Sequence, residues 1–215
     1  MKRLLATYDL MNRRTGRTEP ADLFEGIDES NLLCFERDWK IAFEARLPAD
    51  ASTAERMAAN AQDARWDWRR LAEIRGNPLL YQMYAVECAG RMQGIMLVKK
   101  GGEGCFSRHP DHPKADLIYV DRIATAPWNR PRFMGEPIYK GVGLVLLAAA
   151  VNLSFEEELG GRIGLHSLSD AEAFYRDVIG MTDLGPDDDQ YGMCYFEMSS
   201  AQAQAFLNAQ EGDGA

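Results

Sequence analysis

Lys140-Gly141-Val142-Gly143-Leu144-Val145-Leu146-Leu147-Ala148-Ala149-Ala150-Val151 decides how the rest of this chain is read. Beyond Gly143 the run favours a helix and contains no further Gly or Pro, so it predicts a helix whose first turn is stripped of side chains. The first amides of a helix have no partner within it, and the aligned peptide dipoles leave partial positive charge there. An anion is welcome at such an end, and glycines at 141 and 143 let it reach the backbone. One exposed charge gains only about 0.3–1 kcal/mol in that position. A useful site therefore needs several convergent amides and a cation such as Lys140, and a pyrophosphate supplies enough oxygens to use them.

Two common phosphate fingerprints fail. The dinucleotide motif needs a third glycine where Leu146 stands, and a Walker loop needs Gly-Lys-Ser/Thr, which is absent here. Upstream, Leu117 to Thr125 is β-branched and apolar enough for the middle of a sheet, and Ala126-Pro127 stops it. An irregular loop, Trp128 to Pro137, is expected next; its Arg130 and Arg132 either clamp phosphates or are solvated. Downstream, Gly160-Gly161 leads into a short strand, Ile163 to Ser167. Ser169-Asp170-Ala171-Glu172 then reads as a capping box, opening a helix with Ala171, Phe174, Tyr175 and Val178 on one face and Phe174 in the core.

The order strand, Gly-x-Gly helix, strand, and a helix bearing Ala171-Glu172-Ala173-Phe174-Tyr175 with Gly180-Met181 behind it resembles the GNAT superfamily of acyl-CoA-dependent N-acetyltransferases. The likeness runs from about Tyr81 to Glu197. The family's Gln/Arg-x-x-Gly-x-Gly/Ala appears as Ile138-Tyr139-Lys140-Gly141-Val142-Gly143, without the leading Gln/Arg and after a longer loop. The resemblance implies a mixed α/β fold with a splayed, mostly antiparallel central sheet flanked by helices. It also implies acetyl-CoA as co-substrate, no metal, and transfer to a primary amine by direct attack in a ternary complex.

The family pattern assigns roles residue by residue. The pantetheine arm would bond the main chain at Ile123-Ala124-Thr125, and an amide near Ala124 or Thr125 would hold the thioester oxygen. Lys140, Gly141, Val142, Gly143 and Leu144 would take the diphosphate. Asp121 matches the carboxylate that accepts the amine's proton, with an ion pair to Arg122 as the plain alternative, although strand alternation sets those two on opposite faces. Tyr175 matches the tyrosine that protonates the departing thiolate. The family's asparagine is Leu168 here, so its side-chain contact to the CoA arm is either lost or moved to Ser167. A module that binds CoA without catalysis, or serves protein interaction, is the alternative reading.

Elsewhere the signals are local. Leu4 to Leu10 and the turn residues Asn12 to Arg17 suggest an N-terminal hairpin or arm. Glu36 to Arg46 carries Trp39, Ala42, Phe43 and Arg46 at helical spacing. The resemblance puts the first helices on the acceptor side. Ser52-Thr53-Ala54-Glu55 is a capping box from which one helix is expected to run to Arg75, with one of Trp66 and Trp68 in the core and the other at its boundary. Tyr81 to Lys99 is a hairpin around Ala89-Gly90-Arg91. His109-Pro110-Asp111-His112-Pro113 reads as a solvated loop rather than a metal site, and His166 as a core histidine or a proton relay. Thr182 to Leu184 and Met193 to Glu197 close the sheet around an acidic turn, and a final helix, Ser200 to Asn208, precedes a polar end expected to fray.

Residues 1–50 are taken as an arm and first helix of the same domain as 51–215. With 33 acidic against 24 basic residues, net charge −9, the chain lacks the basic balance of a nucleic-acid binder and favours cationic partners such as amines, on a small molecule or a protein lysine. A homodimer is left open. Four scattered cysteines suit a reducing compartment. The short apolar start predicts no signal peptide, and no run is long enough to span a bilayer, so a soluble cytoplasmic protein is expected.

Overall fold

The computed structural model describes residues 2–59 and 61–212. Its architecture is mixed α/β, with nine strands and seven α-helical segments among the described residues. The strands are β1 (Arg3–Asn12), β2 (Arg17–Glu25), β3 (Tyr81–Cys88), β4 (Arg91–Lys99), β5 (Ile118–Thr125), β6 (Tyr139–Lys140), β7 (Ile163–Ser167), β8 (Thr182–Asp187) and β9 (Met193–Met198), and they lie in the order β6-β1-β2-β3-β4-β5-β7-β9-β8. The open sheet is mostly antiparallel; β5 and β7 run parallel. The chain divides into two compact units, one of residues 1–78, 83–96 and 123–146, the other of 79–82, 97–122 and 147–215. The polar end expected to fray falls, from Asp213 on, outside the described residues.

In the first unit β1 and β2 form the expected amino-terminal hairpin. The Asn12 side chain turns it by accepting the amides of Arg14 and Thr15 at 3.0 and 3.3 Å. Pro20 lies just beyond the β2–β3 register, which starts at Ala21, so its missing N–H costs the ladder nothing there. The β3–β4 turn puts Ala89 and Gly90 at φ 52 and 72, the doubly left-handed geometry that matches strand twist. A non-glycine residue pays for that conformation, and asparagine pays least. Ala89→Asn is expected to raise unfolding stability by about 0.5–1 kcal/mol; an unchanged urea midpoint would count against a strained turn.

The expected helix at Glu36–Arg46 begins earlier. α1 (Glu29–Cys34) is opened by a capping box of Asp28 and Asn31, widens into a π-turn at Phe35–Trp39, and ends as α2 (Lys40–Glu44). Phe35, Trp39 and Phe43 are its buried stripe, and the Trp39 indole donates to the Met92 carbonyl at 3.3 Å. Arg46, beyond its end, donates to the Phe133 carbonyl at 2.6 Å.

The helix expected from Ser52 to Arg75 is three pieces. α3 (Thr53–Ala58) has the predicted capping box; a 3₁₀ turn at Gln62–Arg65 and α4 (Trp68–Ile74) follow. Helical propensity is overruled because Asp63 is drawn into a buried ion pair and Asp67 caps a new start through the Arg70 amide at 3.0 Å. Trp68 is buried and Trp66 half-buried, their rings edge-on at 5.9 Å.

α5 (Pro131–Met134) is a single turn in the loop expected to be irregular. α6 (Val142–Glu156) is the helix the opening stretch predicts, with Leu146, Leu147, Ala150 and Val151 fully buried. In the second unit, β7, β9 and β8 pair as expected and α7 (Ser200–Gly212) closes the chain. The predicted box at Ser169 does not cap. The segment opens as a 3₁₀ turn without a side-chain cap and continues as a π-turn, Phe174–Ile179. The wider turn breaks the predicted face: Tyr175 and Ile179 are buried, Phe174 is half-buried, and Val178 is 64% exposed.

Candidate functional site

The residues singled out from the sequence fall into two groups, one in each unit. In the first, the end of β5 and the start of α6 converge on Gly94. A Cβ there would sit 2.6 Å from Val142 Cγ1, 2.9 Å from Leu146 Cδ1 and 3.5 Å from the Ala124 carbonyl, so the missing side chain lets helix and strand close up. Gly141 has φ +101, a conformation open to glycine, and its carbonyl accepts the Val145 amide at 3.1 Å. It is the cap of α6, and as a glycine it brings no side-chain oxygen to the amides of Val142, Gly143 and Leu144. Lys140 is exposed at this end.

The segment between β5 and α6 is held firmly. Gln93, buried in β4, accepts from the Trp128 indole at 2.8 Å and the Asn129 amide at 3.0 Å, and donates to the Cys88 carbonyl at 3.1 Å. Asn129 in turn accepts the Tyr139 amide at 3.0 Å. β6 pairs with β1, Arg13 N–H donates to the Ile138 carbonyl at 2.8 Å, and the Tyr139 hydroxyl donates to Glu19 at 2.6 Å. Arg130 is neither solvated nor turned outward. Its guanidinium makes two 2.6 Å bonds to Asp63, both side chains buried, and its Nε donates to the Thr125 carbonyl at 2.9 Å. Arg132 is exposed. Neither the Gln93 hub nor the Asp63–Arg130 pair was read from the sequence; a glutamine within an apolar strand was the one signal of the former.

In the second unit the parallel register of β5 with β7 covers Ile118 to Val120, although the strand runs on to Thr125. Asp121, half-buried, pairs with Arg122 at 2.8 Å. Alternation does not prevent this, because the long arginine curls back and also donates to the Asp121 carbonyl at 2.6 Å. Two residues earlier on the same face, the Tyr119 hydroxyl lies 2.8 Å from His166 Nδ1, whose Nε2 is 2.9 Å from Asp187. Asp187 also receives Arg108 at 2.6 Å. The Tyr195 ring lies against the imidazole at 4.6 Å, with the Arg108 guanidinium 4.4 Å over that ring. A carboxylate only accepts, so Nε2 carries the hydrogen and Nδ1 accepts from Tyr119. Burial lowers the His166 pKa, the Asp187 interaction offsetting part of it. Bonds from Arg108 and His166 pull Asp187 down to about 2, and burial pushes Tyr119 up to about 12. His166 is thus neither lone nor merely packed. Its partners lie 21 and 47 positions away in sequence, and no local pattern announces them.

Tyr175 is 5% exposed, its ring packed on Phe174 and Phe196, and burial raises its pKa. Phe196 alternates with Tyr195 along β9, so Tyr175 lies on the opposite sheet face from Tyr119, Asp121 and His166. The histidine loop is not simply solvated either. His109 is buried, bonded through Nε2 to Thr182 at 3.1 Å, while its amide and the Ser107 hydroxyl both donate to buried Glu197. Among the described residues no three His, Cys, Asp or Glu form a metal-holding group, and no helix is long and apolar enough to cross a membrane. A surface cavity of about 230 Å³ beside Cys34, Asp38 and Arg91 contains none of the predicted site residues.

This architecture is the fold of the GNAT acetyltransferases, recognised from solved structures, since no family sequence model and no curated protein sequence matches the chain. Among those structures, the GNAT domain of S. lividans PAT is 13% identical over 89% of this chain and 96% of its own, with TM-score 0.52. The PaiA N-acetyltransferase of Thermoplasma acidophilum, solved with coenzyme A, is 12% identical over 82% and 98%, also at 0.52. An uncharacterized protein of Bacillus halodurans reaches 0.57 at 8% identity, over 98% of this chain and 99% of its own. At these identities the likeness is one of fold.

Proposed function

We propose that this chain transfers an acetyl group from acetyl-CoA to the primary amine of an acceptor, by direct attack in a ternary complex. The observation that carries the reading is the glycine-capped start of α6, packed beside the end of β5 and braced by Gln93 and the amino-terminal hairpin. The amides of Val142, Gly143 and Leu144, with Gly141 and Lys140, would hold the diphosphate. The donors present fit that group, since no side chain at Gly141 competes for the amides. The main chain at Ile123, Ala124 and Thr125 would bond the pantetheine arm, and an amide there would steady the thioester oxygen as it gains charge.

Asp121 would hold the ammonium and accept its proton. The nitrogen then bonds to the acyl carbon as the carbon–sulfur bond breaks, its second proton leaving with the sulfur as free thiol, and Tyr175, on the other face of the sheet, would donate a hydrogen bond to the departing thiolate past Val120, where the β5–β7 register ends. A net charge of −9 favours a cationic acceptor, whether a small amine or a protein lysine. A CoA-binding or protein-interaction module without catalysis is the second reading. It is favoured by Ile138 in place of the family's Gln/Arg and by the commitment of Arg130 to Asp63.

Calorimetry with acetyl-CoA, followed by thiol release over a panel of amines, separates the two. Saturable binding with amine-dependent release is expected. Binding without release on any amine would support the CoA-binding module, and no binding would overturn both the transferase and that module and leave protein interaction.

A further inference from the structure

The Tyr119–His166–Asp187 chain lies on the Asp121 face of the sheet, and the reaction as written above does not use it. Its order is that of a base relay: a hydroxyl, an imidazole whose near nitrogen accepts, and a carboxylate on the far nitrogen. Tyr119 and Asp121 are two positions apart on one face, about 7 Å along the strand. A phenol on one and a carboxylate on the other can therefore both reach one bound nitrogen.

Because its hydrogen is directed at His166, the Tyr119 oxygen offers lone pairs to an incoming N–H. Asp121 already holds Arg122, which suits it to be a fixed counter-charge. The imidazole has a nitrogen free to take a proton from the phenol and a carboxylate behind it to balance the charge, whereas the Asp121 carboxylate is already engaged by Arg122.

We propose that Tyr119 is a catalytic residue of this acetyl transfer and takes over from Asp121 the removal of the acceptor's proton, receiving it on its oxygen while passing its own to His166, with Asp121 holding the ammonium and with His166 and Asp187 acting through Tyr119 as positioning residues. The idea rests on the acetyl-transfer reading given above. One ammonium N–H bond breaks as its hydrogen forms a bond to Tyr119 Oη, and the phenolic hydrogen moves to His166 Nδ1. The freed lone pair forms the carbon–nitrogen bond, the sulfur leaves with the electrons of the carbon–sulfur bond, and the second proton shed by the new amide nitrogen passes to that thiolate, which gives the neutral amide and the free thiol. Asp187 balances the imidazolium until it returns its proton to water.

The charged and titratable groups around His166 are Tyr119 on β5, Asp187 on β8, Tyr195 on β9, and Arg108 from the segment between β4 and β5. Burial lowers its pKa, so His166 is neutral at pH 7 and keeps its base form further into acid than an ordinary imidazole, losing that function only as pH falls through the lowered pKa.

The test is kcat/KM against pH for the wild type, Tyr119→Phe and His166→Gln, using the amine found active in the panel, with acetyl-CoA affinity and thermal melts alongside. Each variant is expected to lose about 10²-fold in kcat/KM near neutrality. Acetyl-CoA affinity should be unchanged, and the acid limb of the wild-type profile should vanish in His166→Gln. If that variant fails to fold, Tyr119→Phe, which keeps the ring, decides by its rate alone. A wild type active on an amine with Tyr119→Phe within threefold of it would overturn the relay and leave the transferase reading standing. A wild type inactive on every amine would overturn both.

Discussion

Replacing Asp63 by alanine is expected to lower unfolding stability by about 3–5 kcal/mol, the usual penalty for removing one member of a buried ion pair. The Arg130 guanidinium would stay in the interior, 5.1 Å over the Phe43 ring, with its counter-charge gone. Both side chains are under 10% exposed and the contact is bidentate, so water could not readily replace the carboxylate. In urea the midpoint should fall with little change in slope. Removing both charges, as Asp63→Ala with Arg130→Met, should recover much of the loss, because the desolvation of the ions disappears along with their attraction. A single-variant loss below about 1 kcal/mol would mean that the pair behaves like a surface one. The pair also fixes the Thr125 carbonyl, so the recovered double variant asks separately whether the end of β5 needs that anchor.

Tyr175→Phe is expected to slow turnover about 10²-fold while leaving acetyl-CoA affinity in place. Burial raises the phenol's pKa, whereas a free thiol titrates near ~8.5. Full transfer of the proton to the thiolate is therefore uphill. In the proposed role the useful act would be a hydrogen bond given as charge develops on sulfur, and losing one such donor typically costs ~10²–10³-fold. Phenylalanine preserves the packing against Phe174 and Phe196, so the melting temperature should hold. Unaltered kcat on an active amine would remove Tyr175 from the reaction, and its burial would then be sufficient account of it.

What could be read from the sequence was whatever depends on neighbours along the chain. The β3–β4 hairpin, β5 stopped by Ala126-Pro127, the Ser52–Glu55 cap and the uninterrupted α6 all follow from local patterns of polarity, turn residues and caps. What was missed depends on pairs remote in sequence. Asp63 meets Arg130 across 67 positions, and that pairing divides a stretch whose propensities alone call for one helix. Phe174 is assigned to the core and Val178 to the same face on a regular helical period, which a π-turn does not keep. Asp121 and Arg122 were set apart by strand alternation, a rule about Cβ directions that a long flexible side chain escapes. The His166 cluster needed β5, β7, β8 and a loop to meet, and composition says nothing of such a meeting.

The bonds from Tyr139 to Glu19 and from Arg13 to the Ile138 carbonyl have an implication for control. They make the opening hairpin a lever whose short arm ends one residue before Gly141. A protein that seized that hairpin, or a phosphate added to it, could loosen the grip proposed for the diphosphate without touching any reacting atom.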